Sequence, residues 1–345
     1  MVAAASAGAG ELADRPGVVQ AEFVFQKAPF AQCHASALAE SAKHLLAAWF
    51  GGSREGHKDV GIWLARRGKE GWSAPVEVAN GLQAGGKRLP CWNPVLYQTP
   101  GPLLLYYKVG PSPGAWWGMV TMSQDAGRTW STPRRLADGF LGPIKNKPIS
   151  VGEKILCGSS TENAGWRVHF EMFWDRGRKR RRIGPVHSGR QFGAIQPTLL
   201  TYKDGRIQAL CRSRQGRIVE VWSTDGGETW SKMAATALPN PNAGIDGVTL
   251  RDGRHLLIYN HTARSGPSPR GREMLNVAVS KDGKTWQAAL LLETGRGEYS
   301  YPAVIQTADG RVHVTYTWRR RRIRHVVLDP AKLTLRDMPQ ARWPD

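Results

Sequence analysis

The chain has 345 residues, 41% of them hydrophobic, which is material for a sizeable core and excludes a disordered protein. Its 48 Lys and Arg against 28 Asp and Glu leave a formal charge of +20, a field that attracts acidic glycan, anionic lipid or nucleic acid alike. No run of 18 apolar residues occurs, so a membrane-spanning helix is not expected.

In chain order, residues 1–20 lack both a basic start and a Leu-rich stretch. They read as a flexible leader rather than a secretory signal, which points to a cytoplasmic protein. One domain, 21–345, is expected to follow, and it opens on a strand-forming segment, AEFVFQ. From there one pattern recurs: an apolar strand, a tight turn of D-G-R type, and a second apolar strand. Three copies are plain: PTLLTYKDGRIQALCRS, GVTLRDGRHLLIYNH and PAVIQTADGRVHVTYTW. Three are weaker: ASALAESAKHLLAAWFGG, PVLYQTPGPLLLYYKVG and KPISVGEKILCGSS. The units start near residues 34, 91, 142, 193, 243 and 298, a spacing of about 50 residues that suits a four-stranded propeller blade.

A second repeat reinforces the first. SQDAGRTW (123–130), STDGGETW (223–230) and SKDGKTW (280–286) each lie between short apolar strands, where Asp and Gly make a hairpin turn and the Trp can pack between blades. The sequence therefore predicts an all-β fold, a six-bladed propeller of four-stranded antiparallel blades. AEFVFQ should complete the last blade and close the ring, removing open edges. The four cysteines, at 33, 91, 157 and 211, form no C-x-x-C pair and are expected as free, buried thiols. No metal and no cofactor is expected. The basic runs Arg178–Arg182 and Arg319–Arg322 read as charged strand edges or phosphate-binding patches.

Equivalent positions of equivalent blades surround one axis, so alignment of the units locates a candidate site. Around the start of the first strand the units offer His34, Asn93, Lys147, Gln196, Asp246 and Tyr301, with Tyr299 two residues earlier. At the end of the second strand they offer Arg54, Lys108, Ser159, Arg212, His261 and Arg319. A ring of polar groups at a concave mouth is a ligand site, and its Lys, Arg and His favour an anionic ligand. Trp116 and Trp117, in a Pro/Gly loop, are candidates to stack on a sugar or to pack between blades.

These segments carry a resemblance. From about residue 30 to 335 the chain resembles the bacterial Asp-box repeat proteins of the sialidase superfamily. That resemblance implies a Tyr nucleophile in the segment YSYPAV, at Tyr299, and an acid/base in the first-blade loop of AAWFGGSREGHKDVGIW, at Asp59, with Glu55 as its competitor. It implies carboxylate-binding arginines at Arg212, in QPTLLTYKDGRIQALCRS, and Arg272, in REMLNVAVS. Two positions depart from the family pattern: Gln196 replaces the Glu that supports the Tyr, and His34 replaces the first arginine.

A glutamine cannot accept the Tyr proton, so His34 becomes the candidate base. The catalytic set expected is Tyr299, Asp59, Gln196 and His34. The binding set is Arg54, Arg212, Arg272, Asn93, Lys147, Asp246, His261 and Tyr301. The expected activity is exo-acting hydrolysis of an acidic sugar, the partner being an acidic oligosaccharide. The alternatives are a uronate-directed lyase, a glycan-binding propeller without turnover, and a nucleic-acid or protein platform.

Overall fold

Each unit folds as strand, turn and strand, because apolar residues alternate about turns that a Gly or a short polar residue can make. A computed structural model describes residues 12–263 and 271–344; the first eleven residues of the expected leader lie outside these. Blade one comprises Gln32–Ser41, His44–Gly52 and Gly61–Gly68, with an outer strand broken into Gly71–Trp72 and Val76–Ala79. Blade two runs from Cys91–Gln98 to Arg134–Arg135, blade three from Ile149–Val151 to Lys179–Ile183, and blade four from Ala194–Thr201 to Ala234–Pro239. Blade five, Asp246–Thr249 to Trp286–Glu293, gains a fifth strand, Arg336–Asp337. Blade six holds Tyr299–Gln306, Val312–Trp318 and Arg322–Leu328.

Val18–Phe23 pairs antiparallel with Arg322–Leu328, Ala21 opposite Val326, and so the N-terminal strand closes the ring. That strand begins three residues inside the segment read as leader, and Leu12 is already buried in the core between blades five and six. The described residues thus form six antiparallel blades, a β-propeller. No helix among them is long and apolar enough to cross a membrane.

The core lies between blades, where the faces of neighbouring sheets meet. Leu256, Val277, Val304 and Val314 join blades five and six, and Leu46, Phe50, Leu96 and Leu105 join blades one and two. The four cysteines are buried and free. In the Asp-boxes the Ser and Asp side chains bond the turn locally: Asp125 accepts from Thr129 Oγ1 at 2.6 Å and Asp225 from Thr229 Oγ1 at 2.6 Å. Trp230 then stacks on Phe170 of the preceding blade at 3.7 Å. The basic run of blade three is an edge strand, Lys179–Ile183, with Lys179 to Arg182 exposed.

The closing seam carries a buried histidine pair. His313 Nδ1 lies 2.9 Å from His325 Nε2, and His325 Nδ1 lies 3.0 Å from Glu22, which also accepts from Arg67 and Trp72. Burial, then the neighbouring His325, pushes the His313 imidazole down to about 4. Its ordinary value is near 6.5, so the unfolded chain takes up this proton first and stability falls as pH drops from about 6.5 towards about 4. The loss amounts to about 3 kcal/mol at most. Urea midpoints measured from pH 7 to 5 should fall, and the fall should be shallower in His313→Asn; equal slopes would refute this.

Candidate active site

Four inner strands break register at the same level: between His34 and Ala37, Trp92 and Val95, Ile195 and Thr198, and Ser300 and Ala303. In three of them the bulge carries an X-Pro pair, Asn93-Pro94, Gln196-Pro197 and Tyr301-Pro302. Proline has no N–H to leave unpaired there, and a bulge re-aims the side chain it carries. Gln196 and Tyr301 take φ of 57° and 52°, a left-handed conformation uncommon for residues with a side chain. Both side chains consequently meet at the axial mouth.

Tyr301 is the centre of the group. Its hydroxyl accepts from Arg212 Nη1, which also donates to Gln196 Oε1 at 3.1 Å, and Arg212 Nε donates to Asn242 Oδ1 at 3.0 Å. The His34 ring lies 4.1 Å from the Tyr301 ring, and the Arg272 guanidinium 5.6 Å from it. Lys145 Nζ is 5.9 Å from the same ring and donates to Asn146 Oδ1 at 2.8 Å and to the carbonyls of Ile245 and Pro302. Lys145 reaches the axis because Gly142–Pro148 crosses the mouth as irregular chain, leaving blade three an inner strand of only Ile149–Val151.

The electrostatics follow from burial among cations. His34 is held well below the ordinary imidazole range by burial, then by Arg320, Arg272, Arg212 and Lys145, so it is neutral at pH 7, with Nδ1 unbonded. Burial pushes Lys145 down to about 7. Glu298 receives Arg272 Nη1 at 2.8 Å and Arg320 Nε at 2.9 Å. Burial opposes its ionisation, but these two guanidiniums outweigh it and hold the carboxyl below the usual range. Part-buried Glu162 goes the other way: burial raises it, against Arg212 and a hydrogen bond from Trp166. The guanidiniums of Arg212 and Arg214 lie over the Trp166 ring, at 5.0 and 4.3 Å.

Arg320 enters from the hairpin joining Val312–Trp318 to Arg322–Leu328. Arg319 and Arg320 have φ of 51° and 54°, the pattern of a type I′ turn that ordinarily takes Asn-Gly. Holding each arginine there costs about 1–2 kcal/mol. The turn delivers Arg320 to Glu298, to Glu55 and to within 3.5 Å of His34 Nε2. Arg54 lines the same recess.

The structure thus brings together His34, Gln196, Arg212, Arg272 and Tyr301, with Arg54 beside them. The other expected residues lie elsewhere. Tyr299 is turned into the core between blades five and six, where its hydroxyl accepts from Arg319 at 3.1 and 3.3 Å. Strand alternation would have put both tyrosines on one face; the bulge after Ser300 separates them. Asp59 folds back on its own loop, accepting from Ser53 N and Oγ at 3.0 Å and facing His57 Nδ1 at 2.8 Å, and Glu55 is the acid that reaches the cluster.

Lys147 and Asp246 pair with each other at 3.1 Å, and Asp246 further accepts from Thr198 and the Val304 N–H, so it ties blades at the axis. His261 bonds Tyr259 and the Ala341 carbonyl, under the C-terminal segment. Asn93 is buried and, among the described residues, makes no hydrogen bond to this group. Trp116 stands edge-on to Trp92 at 5.9 Å, beside the first-blade loop, whereas Trp117 packs between blades. Sequence reasoning missed Lys145, Glu162, Trp166 and Glu298, and held Arg320 only as part of the basic run Arg319–Arg322. The shared X-Pro pairs are the sequence signal that separates Tyr301 from Tyr299. Among the described residues no group of three or more His, Cys, Asp or Glu is placed to hold a metal ion.

The class of protein is a six-bladed β-propeller whose mouth gathers the buried Arg212 and the part-buried Arg272 about Tyr301. The chain belongs to the BNR repeat-like domain family, which matches residues 43–314. It is 24% identical over 137 residues to the anhydrosialidase of Macrobdella decora, a match covering 35% of this chain and 18% of that protein's length. Among solved structures it is similar to the intramolecular trans-sialidase of Ruminococcus gnavus, at TM-score 0.72 and 13% identity over 90% of this chain and 97% of that one. It is also similar to the α-L-arabinanase of Penicillium chrysogenum, at TM-score 0.69 and 14% identity over 92% and 100% of the two chains. At these identities the likeness is one of fold.

Proposed function

We propose that this protein is an exo-acting glycoside hydrolase for a carboxylated sugar. The observation that carries the reading is Arg212: it is 6% exposed, yet its hydrogen bonds all go to neutral groups, the Asn242 amide, the Gln196 amide and the Tyr301 hydroxyl. A buried guanidinium without a bonded carboxylate supports a bidentate anion as its missing partner. The Gln at 196 keeps it free; a Glu there would pair with it.

In this reading Arg212 and Arg272 hold the sugar carboxylate and Tyr301 Oη attacks the anomeric carbon. His34, neutral and packed on the Tyr301 ring, takes the phenolic proton as the C–O bond to the enzyme forms. Glu162, whose carboxyl burial raises above its ordinary range, gives its proton to the leaving-group oxygen as that bond breaks. Water then attacks the anomeric carbon as its bond to Tyr301 breaks; the water proton goes to Glu162, and Tyr301 recovers its own from His34.

The test offers aryl glycosides of glucuronate and of a nonulosonate beside their methyl esters and a neutral glucoside. Acid-form substrates should be preferred at least about tenfold, and Arg212→Ala should erase the preference. Glu162→Gln should slow glycosides with poor leaving groups most. Equal turnover of ester and acid would end the carboxylate reading. From a 4-linked uronate oligosaccharide, an unsaturated, ultraviolet-absorbing uronate product would replace hydrolysis by elimination.

A further inference from the structure

Glu298 and Glu55 both hold Arg320, but they are built differently. Glu298 is fixed: it is shared by Arg272 at 2.8 Å and Arg320 at 2.9 Å, and Ser300 Oγ donates to it at 2.9 Å. Glu55 is exposed at the tip of a loop, and among the described residues Arg320 is its one hydrogen-bond donor. The loop base is held by Asp59, and its tip rests on the rim, where a Cβ on Gly56, at φ +78°, would stand 3.3 Å from the Trp92 ring. Glu55 is thus a carboxylate on a short tether in front of a guanidinium that is pinned from behind.

We propose that Glu55 is a built-in competitor for the anion site, occupying the outward face of Arg320 in the empty protein until a ligand carboxylate displaces it. The inference rests on the carboxylated-sugar reading and adds Arg320 to its binding residues. Arg320 Nη1, now on Glu55, is the donor set free, and Nη2 lies beside His34 at 3.5 Å, next to Tyr301. The pair is cheap to part, because exposed ion pairs hold weakly, whereas a bidentate ligand carboxylate gains two charge-assisted bonds. The costly left-handed turn at Arg319 and Arg320 is consistent with a side chain placed for a ligand rather than for the fold. A ligand reaching a site that is only partly vacant binds more weakly by the vacant fraction, so removing the occupant must tighten binding.

Calorimetry with free glucuronate and with a free nonulosonate tests this on the full chain, with inorganic phosphate as a non-sugar anion. Glu55→Gln should bind the acidic sugars about fivefold tighter, and Arg320→Met at least about tenfold weaker. In the Arg320→Met background Glu55→Gln should change nothing. Arg320→Lys, which keeps charge but loses the fork, serves if Arg320→Met is unstable and should also weaken binding. Unchanged or weaker binding in Glu55→Gln overturns the proposal, as does full affinity in both Arg320 variants. If no variant binds acidic sugar but phosphate follows the same pattern, Glu55 is the competitor and the carboxylated-sugar reading fails.

Discussion

Tyr301→Phe is expected to lower kcat by about a hundredfold or more while changing ligand affinity little. The ring would still pack against His34 at 4.1 Å and under the Arg272 guanidinium, so the mouth keeps its shape. What disappears is the hydroxyl that accepts from Arg212, the one nucleophilic oxygen at the centre of the cationic group. An interaction made mainly in the transition state is lost from kcat rather than from binding. Tyr299→Phe is the contrasting variant. It removes the hydroxyl held by Arg319 at 3.1 Å in the interblade core, so it should cost about 1 kcal/mol of stability and leave kcat within about threefold. Single-turnover rates and calorimetry on both variants separate the two roles. Loss of turnover in Tyr299→Phe with full turnover in Tyr301→Phe would reverse the assignment.

Asp246→Ala should be the most destabilising single change, about 3–5 kcal/mol. The carboxylate is 3% exposed and meets Lys147 Nζ at 3.1 Å, Thr198 Oγ1 at 2.8 Å, and the N–H groups of Gly247 and Val304 at 2.9 Å. These partners come from the sheets of blades four, five and six and from the irregular chain leading into blade three, so one side chain ties four blades at the axis. Alanine leaves the Lys147 ammonium facing the channel without its carboxylate and the Val304 N–H without its acceptor, while the Gly247 N–H keeps Thr198 Oγ1. Asn, which keeps one oxygen, should cost less. Lys147→Met combined with Asp246→Asn should recover part of the loss, because the stranded charge is then gone. Chemical denaturation reads all of these as shifts in midpoint at constant slope. A midpoint in Asp246→Ala within about 1 kcal/mol of wild type would show that the ring does not depend on this pair.

The repeating parts of the molecule were legible in the chain because they are local. A Ser and an Asp two residues apart bond their own turn whatever surrounds them, as at Ser123 and Asp125 and again at Ser223 and Asp225. Alternating apolar strands about such turns determine a blade, and six copies with one spare strand determine a closed ring. The arginines at 212 and 272, with Gln196 and His34, were placed by the same repetition and by resemblance. Tertiary structure decided which tyrosine, which acid and which lysine meet them. A bulge one residue long sends Tyr301 to the mouth and Tyr299 to the core, a difference that period-two alternation does not carry. Lys145 rather than Lys147 stands behind the tyrosine because the chain from Gly142 to Pro148 leaves the strand conformation there. Glu55, Glu162 and Arg320 arrive from loops of three different blades, which share no repeat and no period. Their meeting depends on how far each loop reaches over the axis, a property of the closed ring that no single unit contains.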